Sequence, residues 1–144
     1  MIYFDSSALV KRYLREEGSD AVKSLITGSK VIATSKLAYP EILSAFMRKY
    51  RNGEIPGKTH GIVLEKFESD WNKLFVVEFH DELLPIIRRL MGKYPLRGAD
   101  AVHLASALWL EQATKESATF VASDGDLVSA ARAESLKALD PQQG

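Results

Sequence analysis

The sequence predicts an α/β fold in which short parallel strands form a central sheet that is flanked by helices on both faces. Short apolar segments alternate with helical segments along the chain, and the apolar segments lack the polar alternation of a half-exposed strand. No internal repeat or linker divides the pattern. The 144 residues therefore predict a three-layer sandwich with a mainly parallel sheet of four or five strands. We expect one domain over 1–140 and a frayed tail over 141–144.

The predicted strands are short apolar runs, and the predicted helices lie between capping or breaking residues. The strands are 2–4, 31–33, 75–77 and 119–122, with 136–139 as an edge strand. The helices are 8–14, 19–27, a longer one after Ser35 that ends at Asn52-Gly53, 62–74, 80–94, 100–114 and 127–133. Ser6 or Ser7 is expected to cap the first helix. Pro40 lies inside the third, where we expect it to kink the helix.

The composition limits the classes of function. The chain has 19 basic and 19 acidic residues, and therefore no net charge. A protein that holds a polyanion by charge alone is normally more basic, so any nucleic-acid binding must be local, transient, or assisted by a metal or a second subunit. The absence of cysteine excludes disulfides, zinc–thiolate sites and cysteine nucleophiles, and it suits a reducing cytoplasm. No signal peptide or membrane span is predicted.

Four acidic residues are predicted to meet at one edge of the sheet. Asp5 directly follows the first strand, and Asp124 follows the fourth after one serine. Ligands bind at the carboxyl ends of parallel strands, and the helices begin at that same edge. Asp100 in the first turn of its helix and Glu41 soon after the Ser35 cap are therefore expected to join them.

Converging carboxylates repel one another, and a hard divalent cation relieves that repulsion. Magnesium or manganese would then activate a water and stabilise the leaving oxygen of a phosphodiester. Each acid also has a purely structural interpretation, since aspartate caps helices and is favoured by the helix dipole. The chain therefore predicts a metal-dependent hydrolase, with helix capping as the alternative for each acid taken alone.

Four segments resemble the motifs of PIN-domain toxins of the VapC type, in the family's order. They are Tyr3-Phe4-Asp5-Ser6-Ser7-Ala8-Leu9-Val10-Lys11, Ser35-Lys36-Leu37-Ala38-Tyr39-Pro40-Glu41-Ile42-Leu43-Ser44-Ala45, Asp100-Ala101-Val102-His103-Leu104-Ala105-Ser106-Ala107 and Phe120-Val121-Ala122-Ser123-Asp124. The resemblance implies a PIN fold, dependence on Mg²⁺ or Mn²⁺, and endoribonuclease activity. It also implies a cognate VapB-like antitoxin, a homodimer and an RNA substrate.

The resemblance assigns Asp5, Glu41, Asp100 and Asp124 as direct or water-mediated metal ligands. The resemblance also implies that Ser6 is an accessory hydroxyl near the first acid. Two aspartates follow the fourth strand, Asp124 and Asp126, and either or both could face the metal. We favour Asp124, because it comes first after the strand.

His103 lies one turn after Asp100, on the same face of the helix. We favour a packing role for it, and the alternatives are that it orients the Asp100 carboxylate or contacts the substrate. Lys11, Arg12 and Arg97 are candidate RNA contacts, although basic clusters are usually solvated surface.

Other functions stay open. The fold also suits an RNA-processing nuclease without an antitoxin, or a catalytically silent binding module. A haloacid-dehalogenase-like phosphatase is disfavoured, because it needs a second aspartate two positions after the first, where this chain has Ser7.

Overall fold

The computed structural model describes residues 1–143, and it confirms the predicted α/β sandwich. Within these residues the strands are β1 (Ile2–Phe4), β2 (Ile32–Ser35), β3 (Phe75–Val77), β4 (Thr119–Val121) and β5 (Lys137–Leu139). The helices are α1 (Ser6–Leu9), α2 (Ser19–Thr27), α3 (Ala38–Arg51), α4 (Gly57–Trp71), α5 (Leu83–Lys93), α6 (Gly98–Thr114) and α7 (Gly125–Ala133), and a 3₁₀ turn (Val10–Arg12) follows α1. None of the described helices has the length and apolar character needed to cross a membrane.

All neighbouring strands of the sheet run parallel, in the order β3-β2-β1-β4-β5. The central strand β1 pairs on both sides, so that Tyr3 is level with Ala33 of β2 and Phe120 of β4. The chain moves outward from β1 to β3 and then returns to the other side of β1 at β4. Such a reversal opens a crevice at the carboxyl ends of the two strands.

Successive residues of β1 pack against opposite layers of helices, as the pleat of a strand requires. Tyr3 belongs to a core with Leu104 of α6 and with Phe120. Phe4 faces the other way, into a core with Ile42 of α3. The helices α3 and α6 therefore belong to different layers, but both begin at the carboxyl edge of the sheet.

Three expectations about helix starts are corrected. The cap of α1 is Asp5 rather than a serine, because the Asp5 carboxylate accepts the N–H of the third helical residue. Ser35 ends β2, and its hydroxyl accepts the N–H of Leu37 just before α3 begins. Pro40 lies in the first turn of α3, where backbone N–H groups have no partner within the helix. The N–H that proline lacks therefore removes no helical hydrogen bond, and we no longer expect a kink at this position.

Of the tail predicted over 141–144, the structure describes 141–143, and Gly144 lies outside the described residues. Pro141 is buried. Gly18 has a φ of +93°, and a Cβ placed there would lie 3.1 Å from the Pro141 carbonyl carbon. The amide N–H of Gln142 donates to Asp140 Oδ1 at 2.9 Å. A left-handed glycine at the start of α2 thus lets the carboxyl-terminal segment pack against the domain.

An ion pair joins the 3₁₀ turn to the end of α4. Asp70 Oδ2 accepts from Arg12 Nε and from the Tyr13 hydroxyl, each at 2.9 Å. The Tyr13 side chain is buried among aromatic rings, so its hydroxyl depends on this partner.

Asp70→Ala is expected to lower the free energy of unfolding by about 1–3 kcal/mol, because it leaves the Tyr13 hydroxyl buried without a partner. Asp20→Ala is the matched control, since it removes a carboxylate that pairs with exposed Arg15. It should cost less than about 1 kcal/mol. Urea denaturation of both variants checks the expectation, and equal losses would contradict it.

Candidate active site

Asp5 is fixed at the end of the central strand by hydrogen bonds. Its Oδ1 accepts the Ala8 N–H at 2.9 Å, which caps α1. The Ser7 hydroxyl lies 2.8 and 2.9 Å from its two oxygens and accepts the Ser123 N–H at 3.2 Å. The carboxylate is therefore connected to the segment that follows β4.

Burial raises the pKa of Asp5 to about 6. The charge of His103 and the hydrogen bonds from Ser7 and the Ala8 N–H lower it, whereas the nearby Asp100 carboxylate adds to the rise. Only 2% of Asp5 is exposed, and the ion pairs found among residues 1–143 do not include it. A cation placed beside this carboxylate would favour its ionised form.

Glu41 is held by a buried relay of hydrogen bonds. Its Oε1 lies 2.8 Å from His103 Nε2, and His103 Nδ1 lies 2.9 Å from the Tyr3 hydroxyl. Burial is the main cause that raises the pKa of Tyr3, so its hydroxyl keeps its proton. A carboxylate only accepts, so Nε2 donates to it. When the ring is neutral, Nδ1 accepts from the Tyr3 hydroxyl, and when the ring is charged, Nδ1 donates to that hydroxyl instead.

The relay keeps Glu41 ionised. Burial acts to raise the pKa of Glu41, but the hydrogen bond and charge of His103 outweigh it, with help from the Ser6 hydroxyl and the Arg97 charge. The pKa of Glu41 is therefore below its usual value. The two carboxylates thus differ, because Glu41 is bonded directly to the His103 ring, whereas no ion pair among the described residues includes Asp5.

Asp100 and Asp124 share one arginine. Asp100 lies in the first turn of α6, and Asp124 caps α7 by accepting the Leu127 N–H at 3.0 Å. Arg97 Nε lies 3.4 Å from Asp100 Oδ2, and its Nη2 lies 3.9 Å from Asp124 Oδ2. Burial raises the pKa of Asp100, Arg97 opposes that rise, and the Asp124 charge adds to it.

All four predicted acids thus lie at the carboxyl edge of the sheet. In the described part of the chain, no three histidine, aspartate or glutamate side chains are arranged to hold a metal ion as they stand. The donor set nevertheless fits a hard divalent cation, because it consists of carboxylate oxygens. The buried Asp5 carboxylate and the repulsion between Asp100 and Asp124 are the electrostatic features that such an ion would relieve.

The second aspartate after β4 and the three candidate RNA contacts differ in how exposed they are and in which acids they pair with. Asp126 is exposed in the first turn of α7 and takes no part in the contacts that hold Asp124. Lys11 is only 3% exposed and donates to Glu16 at 2.8 Å, and Arg12 is paired with Asp70 as described above. Arg97 is the candidate RNA contact that reaches the acids. A role for these cations in RNA binding stays a prediction.

The sequence analysis missed Ser7 and Tyr3 as site residues. It favoured a packing role for His103, which is buried, and offered Asp100 as an alternative partner. We named Ser6 as the hydroxyl near the first acid, but Ser7 bonds Asp5. His103 contacts Glu41 rather than orienting Asp100 by a hydrogen bond. Recognising Asp5 as the cap of α1 would have drawn attention to Ser7, which lies in the first turn of that helix. Tyr3 gave no such signal, because an aromatic residue in a buried strand is normally part of the core.

Residues 2–133 match the PIN domain family, and the chain belongs to it. It is 37% identical over 112 residues to Ribonuclease VapC45 of Mycobacterium tuberculosis, with 75% of each chain covered. The fold is similar to the crystal structure of FitAcB from Neisseria gonorrhoeae, with a TM-score of 0.71, 17% identity and 98% of each chain covered. A toxin–antitoxin complex from Klebsiella pneumoniae gives a TM-score of 0.65, 13% identity and the same coverage of 98% for each chain.

Asp5→Asn is expected to stabilise the metal-free protein at neutral pH. The pKa of Asp5 is 3.8 in an unperturbed chain and about 6 in the fold, so the folded state binds the proton more tightly. The wild type therefore loses stability as the pH rises through this window, whereas the asparagine variant has no charge to bury at this position and still caps the helix. The gain at pH 7 is at most about 3 kcal/mol and vanishes below about pH 4.

Urea denaturation in chelator at pH 4 and pH 7 measures this difference. Asp81→Asn removes an exposed carboxylate and is the matched control for the loss of one acidic side chain. If the difference in unfolding free energy between Asp5→Asn and the wild type is the same at pH 4 and at pH 7, the raised pKa of Asp5 is contradicted.

The relay predicts one tautomer for the neutral His103 ring, with the proton on Nε2. Nitrogen-15 NMR of the ring should show this form in the wild type, with His60 and His80 as internal references. Glu41→Ala removes the acceptor that holds the proton on Nε2, and we expect a mixture of both tautomers in that variant, because the Tyr3 hydroxyl can accept from Nδ1 as well as donate to it. A wild-type ring that carries its proton on Nδ1 would show that Glu41 is held in another way.

Proposed function

We propose that this chain is a divalent-metal-dependent endoribonuclease and the toxin component of a type II toxin–antitoxin pair. One observation carries the proposal. A buried carboxylate, Asp5, has no ion-pair partner in residues 1–143 and lies at the sheet edge where Glu41, Asp100 and Asp124 also converge. Such a set of oxygen donors suits hydrolysis of a phosphodiester with a hard metal ion.

Asp5, Glu41, Asp100 and Asp124 would hold Mg²⁺ or Mn²⁺, directly or through water. When bound, the ion would supply the activation of a water molecule and the stabilisation of the leaving oxygen. The protein's own groups prepare this chemistry. His103 keeps Glu41 ionised and in one orientation, and the Ser7 hydroxyl holds Asp5 in place.

Arg97 supplies positive charge at the outer side of the acids. Its side chain is 81% exposed, so it can leave Asp100 and Asp124 and reach a phosphate without disturbing the core. A guanidinium suits this task because it offers several donors to phosphate oxygens. We propose that it contacts the substrate strand next to the bond that is cleaved.

The comparisons support RNA as the substrate and an antitoxin as a partner. The curated relative that is 37% identical is named a ribonuclease, and it matches three quarters of this chain. The Klebsiella structure is a toxin–antitoxin complex, although its low identity supports only the fold. From the resemblance to VapC-type toxins we propose a VapB-like antitoxin and a homodimer, and the lack of cysteine suits a cytoplasmic location. A short neighbouring reading frame whose product blocks cleavage would support the pairing.

Cleavage of a mixed RNA pool with Mg²⁺, with Mn²⁺ and with chelator tests the nuclease. We expect cutting with either ion and none with chelator, and Asp100→Asn should reduce the rate by roughly 100-fold or more because it removes a charged ligand. Asp124→Asn should behave like Asp100→Asn, whereas Asp126→Asn should keep most of the activity, because Asp126 is exposed and outside the contacts.

Asp81→Asn is the control for loss of an exposed carboxylate, and it should cut like the wild type. Cutting that survives chelator, or that Asp100→Asn leaves unchanged, would contradict the metal-dependent mechanism. A folded wild type that never cuts RNA with either ion would instead favour the silent binding module.

A further inference from the structure

A groove meets the acid edge of the sheet at Glu41, the one of the four acids that lines it. It has a volume of about 910 Å³ and runs between the first helical segments of the chain and α3. Ser6, Ser7 and Glu41 line the end at the acids, and Arg48 and Asn52 line the far part. The groove is therefore continuous with the candidate active site.

One face of α3 forms the wall of this groove. Glu41, Ser44, Arg48 and Asn52 recur at intervals of three or four residues, which places them on the same side of a helix. Arg48 lies seven residues beyond Glu41, or about 10 Å along the helix at 1.5 Å per residue. A hydroxyl, a guanidinium and an amide thus follow the acid in a row.

The charges along the groove leave Arg48 available to a ligand. Lys11 and Lys49 also line the groove, but each is paired with one of its glutamates, Glu16 at 2.8 Å and Glu54 at 3.3 Å. Arg48 is exposed and takes part in no ion pair found among residues 1–143. Among the described residues that line the groove, Glu16 and Glu54 are thus each paired with a lysine, and Arg48 is the cation without an ion-pair partner.

We propose that this groove holds the RNA strand on one side of the cleaved phosphodiester, with Arg48 on a phosphate and with Ser44 and Asn52 on nearby polar atoms. The proposal rests on the proposed function, since the acids define where the strand is cut. The described residues that line the groove include no aromatic side chain, so bases have nothing to stack on. The groove therefore binds the backbone of the strand and does not select its bases.

Binding without cleavage isolates this inference. The affinity of a labelled ten-nucleotide single-stranded RNA is measured by fluorescence anisotropy in chelator, over a series of salt concentrations, for oligouridine and oligoadenine. Arg48→Ala should weaken binding about tenfold for both sequences, as expected for loss of a hydrogen-bonded charge. It should also lower the salt slope by about 0.7, the value for one phosphate contact on a single strand.

Arg88→Ala is the matched control, because it removes an exposed arginine that lies on α5, outside the groove. It should keep both the affinity and the salt slope, and Arg48→Lys should restore part of the binding. Thermal melting of each variant shows whether it is folded.

Arg48→Ala with unchanged affinity, or with a loss no larger than that of Arg88→Ala, would overturn the proposal and leave the groove to a protein partner. So would a wild type that binds no RNA. If RNA binding depends on Arg48 but the protein never cleaves RNA, the proposed nuclease activity is wrong and the RNA-binding groove stands. If the protein cleaves RNA and Arg48→Ala changes neither binding nor cleavage, the groove proposal is wrong and the nuclease stands.

Discussion

The burial of the Asp5 carboxylate at the end of the central strand is the constraint that the rest of the site depends on. The Ser7 hydroxyl, the Ala8 N–H and the charge of His103 all stabilise its ionised form, but burial outweighs them and the pKa stays near 6. Because β1 pairs on both sides, Asp5 cannot move away from the other acids without breaking the sheet. The remaining electrostatic penalty is what makes this edge attractive to a cation.

The relay from Tyr3 to Glu41 joins the two helical layers at that edge. Tyr3 belongs to β1, His103 to α6 and Glu41 to α3, and these two helices pack on opposite faces of the sheet. The position of Glu41 relative to Asp5 therefore depends on how both layers sit on the sheet. The same ring acts on the two acids in different ways, since His103 lowers the pKa of Glu41 through a hydrogen bond and through its charge, but lowers that of Asp5 through its charge alone.

The fold class and the placement of the four acids at one edge could be predicted because both follow from local patterns. Apolar runs predict the strands, and a residue that directly follows a parallel strand must lie at the carboxyl edge. Contacts between distant segments could not be predicted in this way. Glu41 and His103 are 62 positions apart, and Arg12 meets Asp70 across 58. Such partners are chosen by helix packing, which the spacing of residues along the chain does not encode.

The contact between Gly18 and Pro141 makes the two ends of the chain unequal as sites for attaching other polypeptides. Met1 leads into β1 at the amino edge of the sheet, and its carbonyl accepts the N–H of Thr119. Gln142, by contrast, lines the groove that leaves the acids. An affinity tag or a fluorescent protein joined ahead of Met1 would emerge on the side opposite the acids. One joined directly after Gln142 would begin beside the groove and interfere with whatever occupies it.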